Sequence, residues 1–159
     1  MTRENIERSP ALTDPLTIRV ARIEEIFDLR WNILREGLPR EAACFPGDDE
    51  PGTLHLGAFD RAGRNVGCAS FMRRDWEGQP AWQLRGMAVS PELQKSGVGR
   101  RLLELAEAML PGANHSTQLW CNARTPAAPF YRKLGWEPVG PEFIVETAGP
   151  HVRMKKLMK

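Results

Sequence analysis

Residues 94–100 read Gln94, Lys95, Ser96, Gly97, Val98, Gly99 and Arg100, and they stand between a strand-like run and a long amphipathic run. The first N–H groups of a helix have no partners within the helix, and the helix dipole adds partial positive charge there. Such an end is an anion site. Gly97 and Gly99 let a phosphate approach bare backbone, and Lys95, Arg100 and Arg101 add cationic charge close by. A pyrophosphate is a natural ligand for this loop. The plain alternative is a strand-to-helix turn in which glycine serves geometry alone. Two other phosphate loops fail on spacing. A nucleotide-hydrolase loop needs Gly-x-x-x-x-Gly-Lys-Ser/Thr, and a dinucleotide loop needs Gly-x-Gly-x-x-Gly after the first strand of a parallel sheet. Here the pattern is Gly-x-Gly, and it follows an antiparallel meander.

The elements that must hold this loop follow from periodicity. Residues 16–20 read as a short strand. Ile23, Ile26, Phe27, Arg30, Ile33 and Leu34 fall at helical spacing, stopped by Gly37 and Pro39. Residues 38–52 form a loop with a short helix around 41–45. Residues 53–59 and 66–72 are strands joined by a hairpin turn, and a second turn at 77–80 leads to a third strand, 81–89. The period then changes. Val98, Leu102, Leu103, Ala106, Met109 and Leu110 share one face, with Arg100, Arg101, Glu104 and Glu107 largely opposite. Pro111 and Gly112 end that helix. Residues 117–121 are a short strand, and 127–134 are a short helix closed by Gly135. Residues 143–146 and 152–154 pair as a last hairpin across 147–150. The predicted order is β-α-(α)-β-β-β-α-β-α-β-β. It gives an α/β fold with a central mixed sheet flanked by helices, made partly parallel by a strand-helix-strand crossover. Residues 15–159 are expected to form one domain, preceded by a flexible arm at 1–14.

Length and composition bound the function. The chain has 159 residues, 42% hydrophobic and 26% charged, which suits one globular domain with a core that needs no disulfide or metal. A net charge of +2 is too small to point to nucleic acid or an anionic membrane. Cys44, Cys68 and Cys121 are odd in number, widely spaced and without a Cys-x-x-Cys pair, so they make neither a disulfide framework nor a zinc site. No metal is expected. No run is long enough to span a bilayer, and the polar N-terminus lacks the apolar stretch of a signal peptide. A cytoplasmic enzyme is the expectation.

Two segments carry a resemblance. The loop from Gln94 to Gly99 resembles the Gln/Arg-x-x-Gly-x-Gly/Ala loop of the GNAT N-acetyltransferases, and as in that family it follows a strand ending Val-x-Pro and precedes a Leu-rich helix. Residues 127–136 resemble the family's Ala-x-x-Phe-Tyr-x-x-x-Gly-Phe segment, with Ala127, Phe130, Tyr131 and Gly135 in place and Trp136 for the usual Phe. Pro129 is a departure that suits only the first turn of a helix. The resemblance covers residues 16–157 and implies the GNAT-type acyl-CoA N-acyltransferase fold. The ending Gly149, Pro150, His151, Val152, Arg153, Met154 resembles the ElaA-like branch, whose substrate is poorly defined.

The resemblance implies acetyl-CoA as co-substrate and a primary amine as acceptor. A small-molecule amine is favoured; a protein amine, or a non-catalytic acyl-CoA-binding module, is the alternative. The cofactor's pyrophosphate would lie on Gln94, Lys95, Ser96, Gly97, Val98, Gly99 and Arg100. Its pantetheine arm would pair like an added strand with Met87, Ala88 and Val89, which requires that strand to part from the one at 117–121. A backbone N–H near Ala88 would meet the acetyl carbonyl as an oxyanion donor. Tyr131, the sole tyrosine, is the implied acid for the leaving thiolate, since a phenol of pKa ~10 outlasts a thiol of ~8.5. The alternative is a core aromatic. His151 is the candidate base, with Glu142, Glu36, His55 and a water chain as rivals; the plain reading is a solvated histidine in a turn. Asn122 contacts the cofactor, bridges the parted strands, or caps the following turn. Family members often dimerise, and the C-terminal strands offer a seam for a homodimer.

Overall fold

A computed structural model describes residues 15–110 and 117–158. The expected arm at 1–14 and the Pro111-Gly112 helix stop lie outside the described residues. The order of elements matches the predicted one. Strand β1 (Thr17–Val20) leads into helix α1 (Ile23–Leu34), a 3-10 turn (Arg40–Ala43) and three strands, β2 (Leu54–Phe59), β3 (Asn65–Arg73) and β4 (Ala81–Val89). A 3-10 turn (Pro91–Leu93) precedes helix α2 (Val98–Met109). Strand β5 (Gln118–Arg124) follows, then helix α3 (Ala128–Lys133), β6 (Glu137–Val145) and β7 (Gly149–Leu157).

The seven strands form one sheet in the order β1-β2-β3-β4-β5-β7-β6. All neighbours pair antiparallel except β4 and β5, which are parallel and joined through α2. The first strand-helix-strand unit, β1-α1-β2, is antiparallel instead, so only the second makes the sheet mixed.

The two faces are covered by different helices. On one, α1 sets Ile26 against Phe59, Cys68 and Ala88. On the other, α2 sets Val98, Leu102, Leu103 and Ala106 against Leu56, Phe71, Leu84 and Cys121. A side chain of that size contributes roughly 1.5–3 kcal/mol when fully buried. Central β3 is therefore buried on both sides, and its apolar residues run without the alternation of a half-exposed strand.

The last hairpin differs from its prediction. β6 begins at Glu137 and β7 runs to Leu157, with the turn at 146–148. Pro138, Gly140 and Pro141 read as breakers. β6 is an edge strand, however, where a missing N–H leaves no ladder bond unmade, and a register shift between Val139 and Phe143 absorbs Gly140 at φ +75°. His151 consequently sits within a strand rather than a turn.

Candidate active site

β4 and β5 pair only from Ala81 opposite Gln118 to Leu84 opposite Cys121. Both strands run on, β4 to Val89 and β5 to Arg124. Beyond Leu84 and Cys121 the strands part, and the edge of β4 turned toward β5 has no ladder partner there among the described residues. The parting coincides with a bulge. Cys68 pairs with Ala88 and Ser70 with Arg85, so Gly86 and Met87 together stand opposite Ala69. Gly86 takes φ +68°, and its carbonyl accepts the Cys68 thiol at 3.3 Å. A glycine inside a strand pattern is the sequence signal for such a bulge. Met87 packs toward the α2 side, and Ala88 is buried on the α1 side.

The loop after β4 is built for exposed backbone. Lys95 and Gly97 both take left-handed conformations, at φ +65° and +90°. Nothing among the described residues lies within 4 Å of where a Gly97 side chain would start. The N–H groups of Val98, Gly99 and Arg100 have no acceptor among the described residues, while Arg101 N–H makes the first helical bond to Gly97. Gln94 Nε2 donates to the Val89 carbonyl at 3.1 Å, and the Ser96 hydroxyl donates to Leu93. Among the described residues Arg100 meets only Glu104, at 3.4 Å and largely in solvent, a pair worth at most about 1 kcal/mol. Gly99 has a role that the sequence did not show. A side chain there would start 2.9 Å from Phe130 Cζ, so its bareness lets α3 close on α2.

Tyr131 lies on α3, 5% exposed, with edge contacts to Phe130 at 5.0 Å and Trp136 at 5.5 Å between ring centres. Gly135 at φ +92° ends the helix, and Trp136 N–H returns to the Tyr131 carbonyl at 3.0 Å. Burial pushes the phenol well above its ordinary range, and Cys121 adds to the rise. Cys121 is the last β5 residue paired with β4, so Tyr131 stands at the root of the parting. Its hydroxyl has no hydrogen-bond partner among the described residues.

His151 is 7% exposed and directly opposite Arg124 on β5 and Phe143 on β6. Its Nδ1–H donates to the Gly149 carbonyl at 2.9 Å, which leaves Nε2 with the lone pair. Residues paired directly across strands share a face, and Arg124 reaches the Leu34 carbonyl of α1. His151 therefore belongs to the α1 face, whereas Tyr131 belongs to the α2 face. Asn122 is exposed on β5 and accepts Arg153 Nε of β7 at 3.3 Å. Glu142 is exposed and accepts the Thr125 hydroxyl at 2.8 Å, and Glu36 is exposed beyond α1.

His55 is committed elsewhere. Its Nε2–H donates to the Asp48 carbonyl at 3.0 Å, so Nδ1 accepts the Ser70 hydroxyl at 2.6 Å. Ser70 in turn accepts Arg30 Nη2 at 2.9 Å. Arg30 is fully buried and forks onto both oxygens of Asp48, at 2.7 and 3.0 Å, and onto the Ala43 carbonyl. Its Nε has no hydrogen-bond partner among the described residues and lies under the bulge, 2.9 Å from where a Gly86 side chain would start. The sequence hinted at this only by placing an arginine in the apolar register of α1.

The seven-stranded sheet and the helices on its two faces make a mixed α/β fold. Solved structures share it at low identity. An aminoglycoside 6'-N-acetyltransferase complexed with coenzyme A superposes with a TM-score of 0.70 at 16% identity, covering 90% of this chain and 97% of that one. Escherichia coli ElaA superposes at 0.63 and 18%, covering 90% and 99%. The Acetyltransferase (GNAT) domain family matches residues 51–138. The uncharacterized N-acetyltransferase YitI of Bacillus subtilis (strain 168) is 31% identical over 150 residues, covering 91% of this chain and 97% of that one. The chain belongs to the GNAT acetyltransferase family and is an acyltransferase.

Proposed function

We propose that the protein transfers an acetyl group from acetyl-CoA to the primary amine of a small molecule by direct attack. The observation that carries this reading is the early end of the β4–β5 ladder at Leu84 and Cys121, with Tyr131 at its root. The residues present fit the co-substrate. The unpaired N–H groups of residues 98–100, with Gly97 open beside them, are suited to hold its diphosphate. The free edge of Met87, Ala88 and Val89 is suited to take its pantetheine amides. When bound, acetyl-CoA supplies the thioester whose acyl group is transferred.

The chain's own residues divide the remaining work. A backbone N–H near Ala88 stabilises developing negative charge on the acyl oxygen. Burial keeps the Tyr131 phenol neutral at working pH, so its hydroxyl retains the hydrogen that it can donate to negative charge developing on the departing sulfur. His151, with Nε2 bearing the lone pair on the opposite face, is suited to take the proton that an ammonium acceptor must lose.

The test is thiol release from acetyl-CoA over a panel of amines, run with wild type and Tyr131→Phe. The variant is expected to lose roughly 10²–10⁴ in kcat. Its acetyl-CoA thermal shift should be retained. Equal rates on every accepted amine would remove Tyr131 from the role.

A further inference from the structure

Arg35, Arg85 and Arg124 are half-buried on the α1 face and have no ion-pair partner among the described residues. Arg85 lies one residue beyond the last β4–β5 pair and one before the bulge glycine, and its guanidinium carbon sits 4.2 Å from the centre of the Phe45 ring. Arg35, at the end of α1, sits 5.2 Å from the same ring. Arg124 and Arg35 both donate to the Leu34 carbonyl, at 2.6 and 3.0 Å. Arg124 also stands directly opposite His151. The carboxylate among them, Asp48, spends both oxygens on the fully buried Arg30.

Gathering like charges where water is partly excluded costs folding energy unless an anion is supplied. Burial, then the neighbouring Arg35 and Arg30, depress the pKa of Arg85; burial, then Arg124 and Arg30, depress that of Arg35. Guanidinium forks match carboxylate and phosphate oxygens, and Arg85 has no hydrogen-bond acceptor among the described residues. The diphosphate loop does not explain the cluster, because that loop opens α2 on the opposite face.

From this arrangement we infer that the acceptor is an amine that also carries an anionic group, held by Arg85 and Arg35 with its amine directed toward His151 and the parted strands. The inference rests on the acetyltransferase reading and names its substrate class.

The experiment compares alkylamines, ω-amino acids and aminoalkyl phosphates of matched chain length in the thiol-release assay. Anionic amines should show kcat/KM at least about tenfold higher than the alkylamine, the equivalent of ~1.4 kcal/mol. Arg85→Met should erase that preference by raising KM for the anionic amines more than for the alkylamine, with the acetyl-CoA thermal shift retained. Arg35→Met serves if Arg85→Met fails to fold. Equal kcat/KM across the three series, or a variant that lowers all of them alike or weakens acetyl-CoA binding, would overturn the inference and leave the acetyltransferase reading standing. If no amine is turned over, that reading fails first. Calorimetry of ω-amino acids and aminoalkyl phosphates against wild type and Arg85→Met then decides: binding lost in the variant supports the anion site, and no binding to wild type overturns it.

Discussion

Gly99 faces Phe130 so closely that a β-carbon on Gly99 would lie 2.9 Å from Phe130 Cζ. The helix that follows the glycine loop at 94–100 and the helix that carries Tyr131 meet at this contact. Gly99→Ala should force α3 outward and cost about 1–3 kcal/mol, as overpacking does. Phe130→Leu in the same chain should recover most of it. Denaturant unfolding reads both; a Gly99→Ala protein as stable as wild type would show that the contact is slack.

Gly97 differs in cause. No atom of the described residues lies within 4 Å of where its side chain would start, but its φ is +90°. Gly97→Ala should cost roughly 1–2 kcal/mol through backbone strain, and Gly97→Asn less. Acetyl-CoA affinity should fall with it, because the strained turn presents the free N–H groups. Phe130→Leu should give no rescue, which separates this effect from that at Gly99 in the same melts.

Arg30 and Asp48 form a buried pair whose guanidinium also holds Ser70 and the Ala43 carbonyl. Arg30→Met or Asp48→Leu alone leaves a buried charge unpaired and should cost about 3–5 kcal/mol. The double variant should be less destabilised than the sum of the two. Additive losses in chemical unfolding would show that the partners do not depend on each other.

The three thiols should react unequally. Cys44 is exposed, whereas burial pushes Cys68 and Cys121 up to about 12. A disulfide reagent at neutral pH should titrate Cys44 in native protein and all three after unfolding. The same shifts set a pH dependence. Above the unfolded thiol pKa of ~8.5 the folded chain holds more protons than the unfolded one, so stability falls as pH rises, and the loss completes only near pH 12. Tyr131 acts in the same direction at higher pH. Melting temperatures that stay flat above pH 9 would contradict the burial of these groups.

The element order was legible because apolar spacing shifts where strand gives way to helix, as between residues 81–89 and 98–110, and because turn residues at 60–65 and 77–80 separate consecutive strands. The glycine loop at 94–100 and the short helix that carries Tyr131 were legible as elements because their motifs are local. The extent of β6 was not, since Pro138 and Pro141 forbid a central strand and nothing local reveals an edge. Arg30, Asp48, Ser70 and His55 come from four separate segments, so their network has no local pattern to read. The arginines around Phe45 are hidden for the same reason.

Above all, we propose that the open N–H groups at the head of α2 and the free edge of β4 hold acetyl-CoA. A crystal structure of the protein with acetyl-CoA tests it most directly. The diphosphate should lie against residues 97–100, the pantetheine amides should bond to Met87–Val89, and the sulfur should lie beside Tyr131. A ligand bound elsewhere, with β4 and β5 zipped together past Leu84 and Cys121, would contradict it.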